Sequence, residues 1–263
     1  CNQNLSVSTK IISALGGVML WLLTALLPAS AALPAINAVD AGSAAGLRAR
    51  YDAHRDQIAN NAFHRPLVLE SSNTSKDVKG DIYAVVPHPF NTVSEALAAP
   101  QGWCDVLILH LNTKFCTTAR DQNSTALTMN VGKKFDQPLA DSFRLTFAWR
   151  LEDRQADYMR VLLRADVGPL STHDYRITLE AVPLENGSTF LHLAYAYGFG
   201  MTANLAMRAY FNTIGRDKVG FTVVGKDKDG RPDYVDGMRG LVERNTMRYF
   251  LAIESFLGAL SVK

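Results

Sequence analysis

From Ser142 to Phe199 large apolar side chains alternate with polar ones almost without interruption. A two-residue period puts alternate side chains on opposite faces of a strand and fits no helix. In 142–151, Phe143, Leu145, Phe147, Trp149 and Leu151 share one face, and Ser142, Arg144, Thr146 and Arg150 the other. In 158–167, Met159, Val161, Leu163 and Ala165 oppose Arg160, Arg164 and Asp166. In 173–182, Tyr175, Ile177 and Leu179 oppose Asp174, Arg176, Thr178 and Glu180. Asn186-Gly187 is a hairpin turn. It leads into 189–199, where Leu191, Leu193, Tyr195, Tyr197 and Phe199 alternate with His192, Ala194, Ala196 and Gly198. One apolar and one charged face predict an antiparallel sheet covered on one side only. On that reading His192, opposite the tyrosines, lies at the surface.

Ahead of this run the sequence predicts a helix over 43–61 capped by Ser43, then a hairpin of strands at 67–69 and 80–86. A helix capped by Asn91 or Thr92 is expected to end at Pro100, with a second short helix over 102–110 and strands over 112–120 and 124–132. After the alternating run come a helix over 202–214, a strand over 219–225 and the charged turn Lys226-Asp227-Lys228-Asp229-Gly230. That turn lacks the ligand spacing of a calcium loop and reads as solvated. A long amphipathic helix over 236–260 follows. Met238, Leu241, Val242, Tyr249, Phe250, Ile253, Phe256, Leu257 and Leu260 fall on its apolar stripe, while Glu243, Arg244, Arg248 and Glu254 mostly avoid it.

The first residues read differently. Lys10 is followed by an apolar run, Ile11 to Leu27, broken by Ser13, Gly16, Gly17 and Thr24, and then by Pro28 and Ala29-Ser30-Ala31-Ala32. Charge, apolar stretch and small-residue site in that order predict a secretory signal over 1–31, cut after Ala31, and a mature domain over 32–263. The alternative is an uncleaved anchor, since the run reaches the bottom of the spanning range of about 17–25 residues. A periplasmic or secreted location follows from the signal. There Cys104 and Cys116 would pair as a disulfide or stay as buried thiols. Lys and Arg number 27 against 25 Asp and Glu, so no basic groove for nucleic acid is expected.

The order of helix, hairpin, two short helices, long antiparallel run and C-terminal amphipathic helix resembles the helix-grip fold of the START-like (SRPBCC) superfamily over 43–260. That superfamily includes lipid-transfer START domains and polyketide cyclases. The resemblance implies an α+β fold in which a curved antiparallel sheet wraps the last helix around a cavity for an apolar ligand. The segment 202–225 ahead of the last helix, and the export signal, depart from it. Physics points the same way: one helix about 10–12 Å wide cannot cover a seven-strand face with strands about 4.8 Å apart.

No H-E-x-x-H, G-x-S-x-G, P-loop or dinucleotide motif occurs in the required setting, and the six histidines show no ligand spacing. No metal or cofactor is expected. The candidate ligand-binding residues are Phe147, Trp149, Leu163, Tyr175, Tyr195, Tyr197, Arg244, Arg248, Tyr249 and Ile253. The arginines would hold a carboxylate or phosphate headgroup; the alternative is a surface ion pair of the kind Arg239 and Glu243 predict. The leading expectation is a non-enzymatic binder or carrier of an apolar small molecule or lipid, with transient membrane contact. A cyclase- or hydrolase-like enzyme on the same fold, and a partner-docking domain without a small ligand, are the alternatives.

Overall fold

The computed structural model describes residues 42–122, 124–200, 205, 207, 209, 213 and 218–260. The expected signal over 1–31 lies outside them, as does most of the expected helix over 202–214, of which Leu205, Met207 and Ala209 are described and helical.

The elements are α1 (Ala44–Ala59), β1 (Leu67–Asn73), β2 (Asp77–Val86), α2 (Phe90–Leu97), α3 (Pro100–Leu107), β3 (Thr113–Arg120), β4 (Thr125–Val131), β5 (Phe143–Arg154), β6 (Met159–Val167), β7 (Thr172–Pro183), β8 (Thr189–Phe199), β9 (Val223–Lys226), β10 (Pro232–Tyr234) and α4 (Gly237–Leu260). Ser43 caps α1, accepting the amide of Gly46 at 3.0 Å. Asn91 and Thr92 cap nothing: α2 starts at Phe90 with Pro89 at its cap, so both sit in its first turn. Pro100 opens α3 rather than ending a helix, because the first helical position needs no N–H.

The eight strands expected between 67 and 199 form one sheet in the order β1-β2-β8-β7-β6-β5-β4-β3, every pair antiparallel. The turn at Asn186-Gly187 joins β7 to β8, with Gly187 at φ +78. The expected strand over 219–225 is shorter and later. It is β9, paired with β10 in a separate two-stranded ribbon.

α4 lies across the inner face of the sheet, against β1, β2 and β8 and beside α3. At Gly80 on β2 the approach is so tight that any Cβ would collide with the Thr246 side chain. Ile82, Val161, Leu163 and Leu179 are fully enclosed on this face, each worth roughly 1.5–3 kcal/mol of burial. Glu243 of α4 is also fully enclosed, contrary to its expected place off the apolar stripe. Its carboxylate accepts the amides of Phe221 (2.6 Å) and Thr222 (3.0 Å) and the hydroxyls of Thr222 (2.6 Å) and Ser71 (2.5 Å). Arg239, expected to pair with it, donates to Ser71 Oγ at 2.7 Å instead. The carboxylate thus ties the segment before β9, and β1, to α4.

The outer face is not bare. α1 covers part of it, enclosing Leu47, Ile58, Val68, Tyr83, Tyr158, Val182 and Phe190. This overturns the surface position expected for His192, which is 4 % exposed. Its Nε2 lies 2.8 Å from Asp81 Oδ1 and its Nδ1 2.9 Å from Glu180 Oε2. The two carboxylates favour the charged ring, while Arg50 Nη1 also lies 3.2 Å from Nδ1. Tyr158 donates to Glu180 at 2.7 Å, Lys79 pairs with Asp81 at 2.8 Å, and Arg50 and Arg160 flank Glu180 at 3.7 and 3.6 Å.

Cys104 of α3 and Cys116 of β3 are joined by a disulfide, their Cα atoms 5.4 Å apart. It clasps the edge strand to the helix behind it. Reduction is expected to cost about 3 kcal/mol, the loop-closure value for a separation of 12 residues. Urea unfolding with and without reductant checks this; an unmoved midpoint would show that the clasp carries no stability.

Candidate functional site: a tyrosine-walled cavity

The inner face is wider than α4, and the uncovered part leaves an open cavity of about 460 Å³. Strand residues Leu145, Tyr175, Tyr195 and Tyr197 form its floor, and Met238, Leu241, Asn245 and Tyr249 of α4 form one wall. His110 and Asn112, just beyond α3, close the inner end. Lys133, Asp141 and Leu170 stand exposed at the mouth.

The aromatic rings form one continuous surface. Tyr197 stacks on Tyr175 with centroids 5.1 Å apart, and Tyr195 lies 5.6 Å from Tyr197 and 6.2 Å from Tyr175. Tyr249 meets Tyr195 edge-on at 5.2 Å and stacks on His110 at 4.8 Å. Tyr175 shares a hydrogen bond with Thr172 at 2.7 Å. Burial raises the pKa of all four phenols, so they remain neutral at pH 7. His110 is neutral too: burial, and then the charge of Arg248, pushes it down to about 4.

Of the ten residues expected to bind ligand, the cavity brings together Tyr175, Tyr195, Tyr197 and Tyr249. The other six are elsewhere. Phe147, Leu163 and Ile253 are enclosed in the core, at most 1 % exposed, farther along the same strands and helix stripe. Trp149 packs, partly buried, against that core. Arg244 and Arg248 do not line the cavity; they donate to Val219 O at 3.4 Å and Asn245 Oδ1 at 3.0 Å. The cavity stripe of α4 runs through 238, 241, 245 and 249. A residue one position off that stripe is turned about 100° away. Neither arginine lines the cavity, although the charge of Arg248 acts on His110.

His110, Asn112 and Asn245 were not expected. Asn245 had a signal, a polar side chain four residues before Tyr249 on an apolar stripe. His110 had none, since its position depends on where α3 stops.

A hairpin at one sheet edge, a helix pair leading to the opposite edge, a six-strand meander back to the middle and a final helix across the inner face form one arrangement. This is a helix-grip arrangement, a long antiparallel sheet closed over by the last helix. No family model matches the sequence, and no curated protein matches it. Solved structures similar to this helix grip include one from Thermus thermophilus, at TM-score 0.43 and 11 % identity, covering 70 % of this chain and 99 % of that one. Human StAR-related lipid transfer protein 5 is similar at TM-score 0.42 and 8 % identity, covering 83 % and 98 %. Norcoclaurine synthase from Thalictrum flavum is similar at TM-score 0.40 and 11 % identity, covering 75 % and 88 %.

Proposed function

We propose that this helix-grip chain is an exported binder or carrier of one apolar small molecule, held between the sheet and α4. The observation that carries this reading is the open cavity of about 460 Å³ walled by four tyrosines. Its size falls in the range of about 300–1,000 Å³ usual for small-ligand sites, as does its mix of aromatic walls and few polar groups. Binding would be driven by removing apolar ligand surface from water, at about 25 cal/mol per Å². The Cys104–Cys116 disulfide supports an oxidising compartment, in keeping with the signal expected over 1–31. Leu170, 76 % exposed at the mouth, and Phe135, 72 % exposed between the lining residues Lys133 and Gln137, would favour transient membrane contact during loading.

An enzyme on the same fold is the second reading, favoured by the inward-facing His110. With a pKa of about 4 that imidazole is a weak base at pH 7, which places this reading behind the first.

The test is mass spectrometry of organic extracts from the mature protein, purified without detergent from its native compartment. A stoichiometric apolar compound is expected, together with a mature N-terminus at Ala32. An empty extract that stays empty after incubation with total membrane lipid would refute the carrier reading.

A further inference from the structure

We propose that Asn73 and Asn186 carry N-linked oligosaccharides, attached as the chain is exported. The proposal rests on the exported reading above and adds that the export route contains an oligosaccharyl transferase.

Asn73-Thr74-Ser75 and Asn186-Gly187-Ser188 both read Asn-x-Ser with x other than proline, the acceptor triplet for such a transferase. A third triplet, Asn123-Ser124-Thr125, has its asparagine outside the described residues, and a fourth, Asn4-Leu5-Ser6, falls within the expected signal. A triplet by itself arises readily by chance; where the fold puts these two is what carries the proposal.

A glycan is bulky and hydrated, so it fits only an asparagine with solvent beyond it. Asn73 is the last residue of β1 and is exposed, as are Thr74, Ser75 and Lys76 of the turn into β2. Asn186 is exposed in the turn from β7 to β8, and a Cβ at the neighbouring Gly187 would meet nothing within 4 Å. Neither turn is held by the amide nitrogen that would receive the sugar. At the first, Thr74 Oγ1 accepts the amides of Lys76 at 3.2 Å and Asp77 at 3.0 Å. At the second, Asn186 Oδ1 accepts the amide of Ser188 at 3.1 Å and its hydroxyl at 2.5 Å.

The asparagines that the fold uses lie outside such triplets. Asn61 Nδ2 donates to the carbonyls of Gln57, Ile58 and Arg65, Asn112 Nδ2 to Gly132 O and Asn130 Nδ2 to Ser142 Oγ, while Asn245 lines the cavity. Two residues after these four stand Phe63, Lys114, Gly132 and Met247, none of them a hydroxyl residue. The two acceptors also leave the ligand site clear. Neither lines the cavity, and Asn186 follows the end of β7 opposite the mouth residues Pro169 and Leu170.

The step is a group transfer from a lipid-linked oligosaccharide diphosphate. C1 of the first sugar parts from its phosphate oxygen and bonds to Nδ2, which gives up one proton to solvent; the lipid diphosphate leaves with the electron pair.

The test is peptide and intact-mass spectrometry of the mature protein from its native compartment, before and after peptide-N-glycosidase in ¹⁸O water. That enzyme removes the sugar and leaves a labelled aspartate where a glycan stood. Label is expected at positions 73 and 186, with a fall in intact mass to that of the bare chain. Asn73→Gln and Asn186→Asp, exported by the same route, should each remove the mass of one glycan; aspartate keeps the oxygen to which Ser188 donates. The wild-type peptide map needs no variant to fold. Label missing at either position overturns the assignment there, while a chain start at Ala32 keeps the exported reading. A chain that retains 1–31 and bears no sugar overturns both.

Discussion

A Glu180→Ala variant is expected to lose about 3–5 kcal/mol of stability. Glu180 is 4 % exposed and holds together the buried cluster beneath α1. Removing it leaves Tyr158 without its acceptor, takes one of two carboxylates from His192, and removes a neighbouring charge from Arg50 and from Arg160, which keeps Glu152 at 2.8 Å. Buried charges stripped of a partner cost far more than exposed pairs, whose loss is worth about 0–1 kcal/mol. Urea unfolding at about pH 6 measures the loss; a value under about 1 kcal/mol would mean that the cluster behaves as solvated surface pairs.

The same cluster fixes a pH profile. Burial works against the charges on Asp81 and Glu180, but the hydrogen bond from His192 and the other nearby donors and cations outweigh it, leaving both pKa values lowered. Burial also works against charge on His192, and its bonds to Asp81 and Glu180 outweigh that, raising it above the ordinary 6.5. A carboxyl that binds protons more weakly when folded contributes above its unfolded pKa and stops contributing as pH falls through the folded one. A raised imidazole contributes fully below 6.5 and less and less as pH rises through its folded value. The cluster therefore stabilises most between about pH 4.5 and about pH 6.5 and fades on both sides. In Glu180→Ala the fall above about pH 6.5 should be shallower; parallel profiles would remove His192 from the account.

How much of this was legible depended on which face of a strand was involved. The inner face of β8 is carried by Leu191, Leu193, Tyr195, Tyr197 and Phe199, and its period of two is plain. The outer face carries Ala194, Ala196 and Gly198, small rather than charged, which marks a surface that something covers. α1 reaches the end of it at Phe190 and His192, with Tyr51 5.0 Å from Phe190 and Arg50 3.2 Å from His192, while Gly198 lies against the His173 ring. Glu243 was also partly legible. It lies three residues after Gly240 and four before Met247, both buried, so helical spacing puts it on the inward stripe despite its charge. The position of the cavity was not legible. Leu145 lines it and Phe147, two residues on along the same strand face, does not. That difference depends on how the helices together cover the sheet, which periodicity does not encode.

Glu243→Ala is expected to cost about 4 kcal/mol, because four donors lose one acceptor at once. An unmet buried donor costs about 1–3 kcal/mol, and the four do not add fully because the segment 219–222 can partly turn toward water. Glu243→Gln should lose less, since its amide oxygen still accepts while its NH₂ opposes the remaining donors. The order wild type, Gln, Ala in unfolding midpoint distinguishes an acceptor from a space-filler. Equal losses in the two variants would mean that only the shape of the side chain matters. Proteolysis of the native protein adds a second readout: cleavage near β9 should quicken in Glu243→Ala as that segment comes loose.

The strand order has a consequence for folding speed. Every neighbouring pair in the sheet is a connection between consecutive strands except one, β2 with β8. In that pair Asp77 meets Gly198 and Val86 meets Thr189, partners about a hundred residues apart whose meeting carries a large loop-closure cost. The β1–β2 hairpin and the β3–β8 meander can each form from local pairings, and β2 must then wait for the meander to offer its last strand. Docking of the two pieces is the expected slow step. Until it occurs, the edges of β2 and β8 are both open, and a chain held at that stage exposes the strands most able to pair with a second copy.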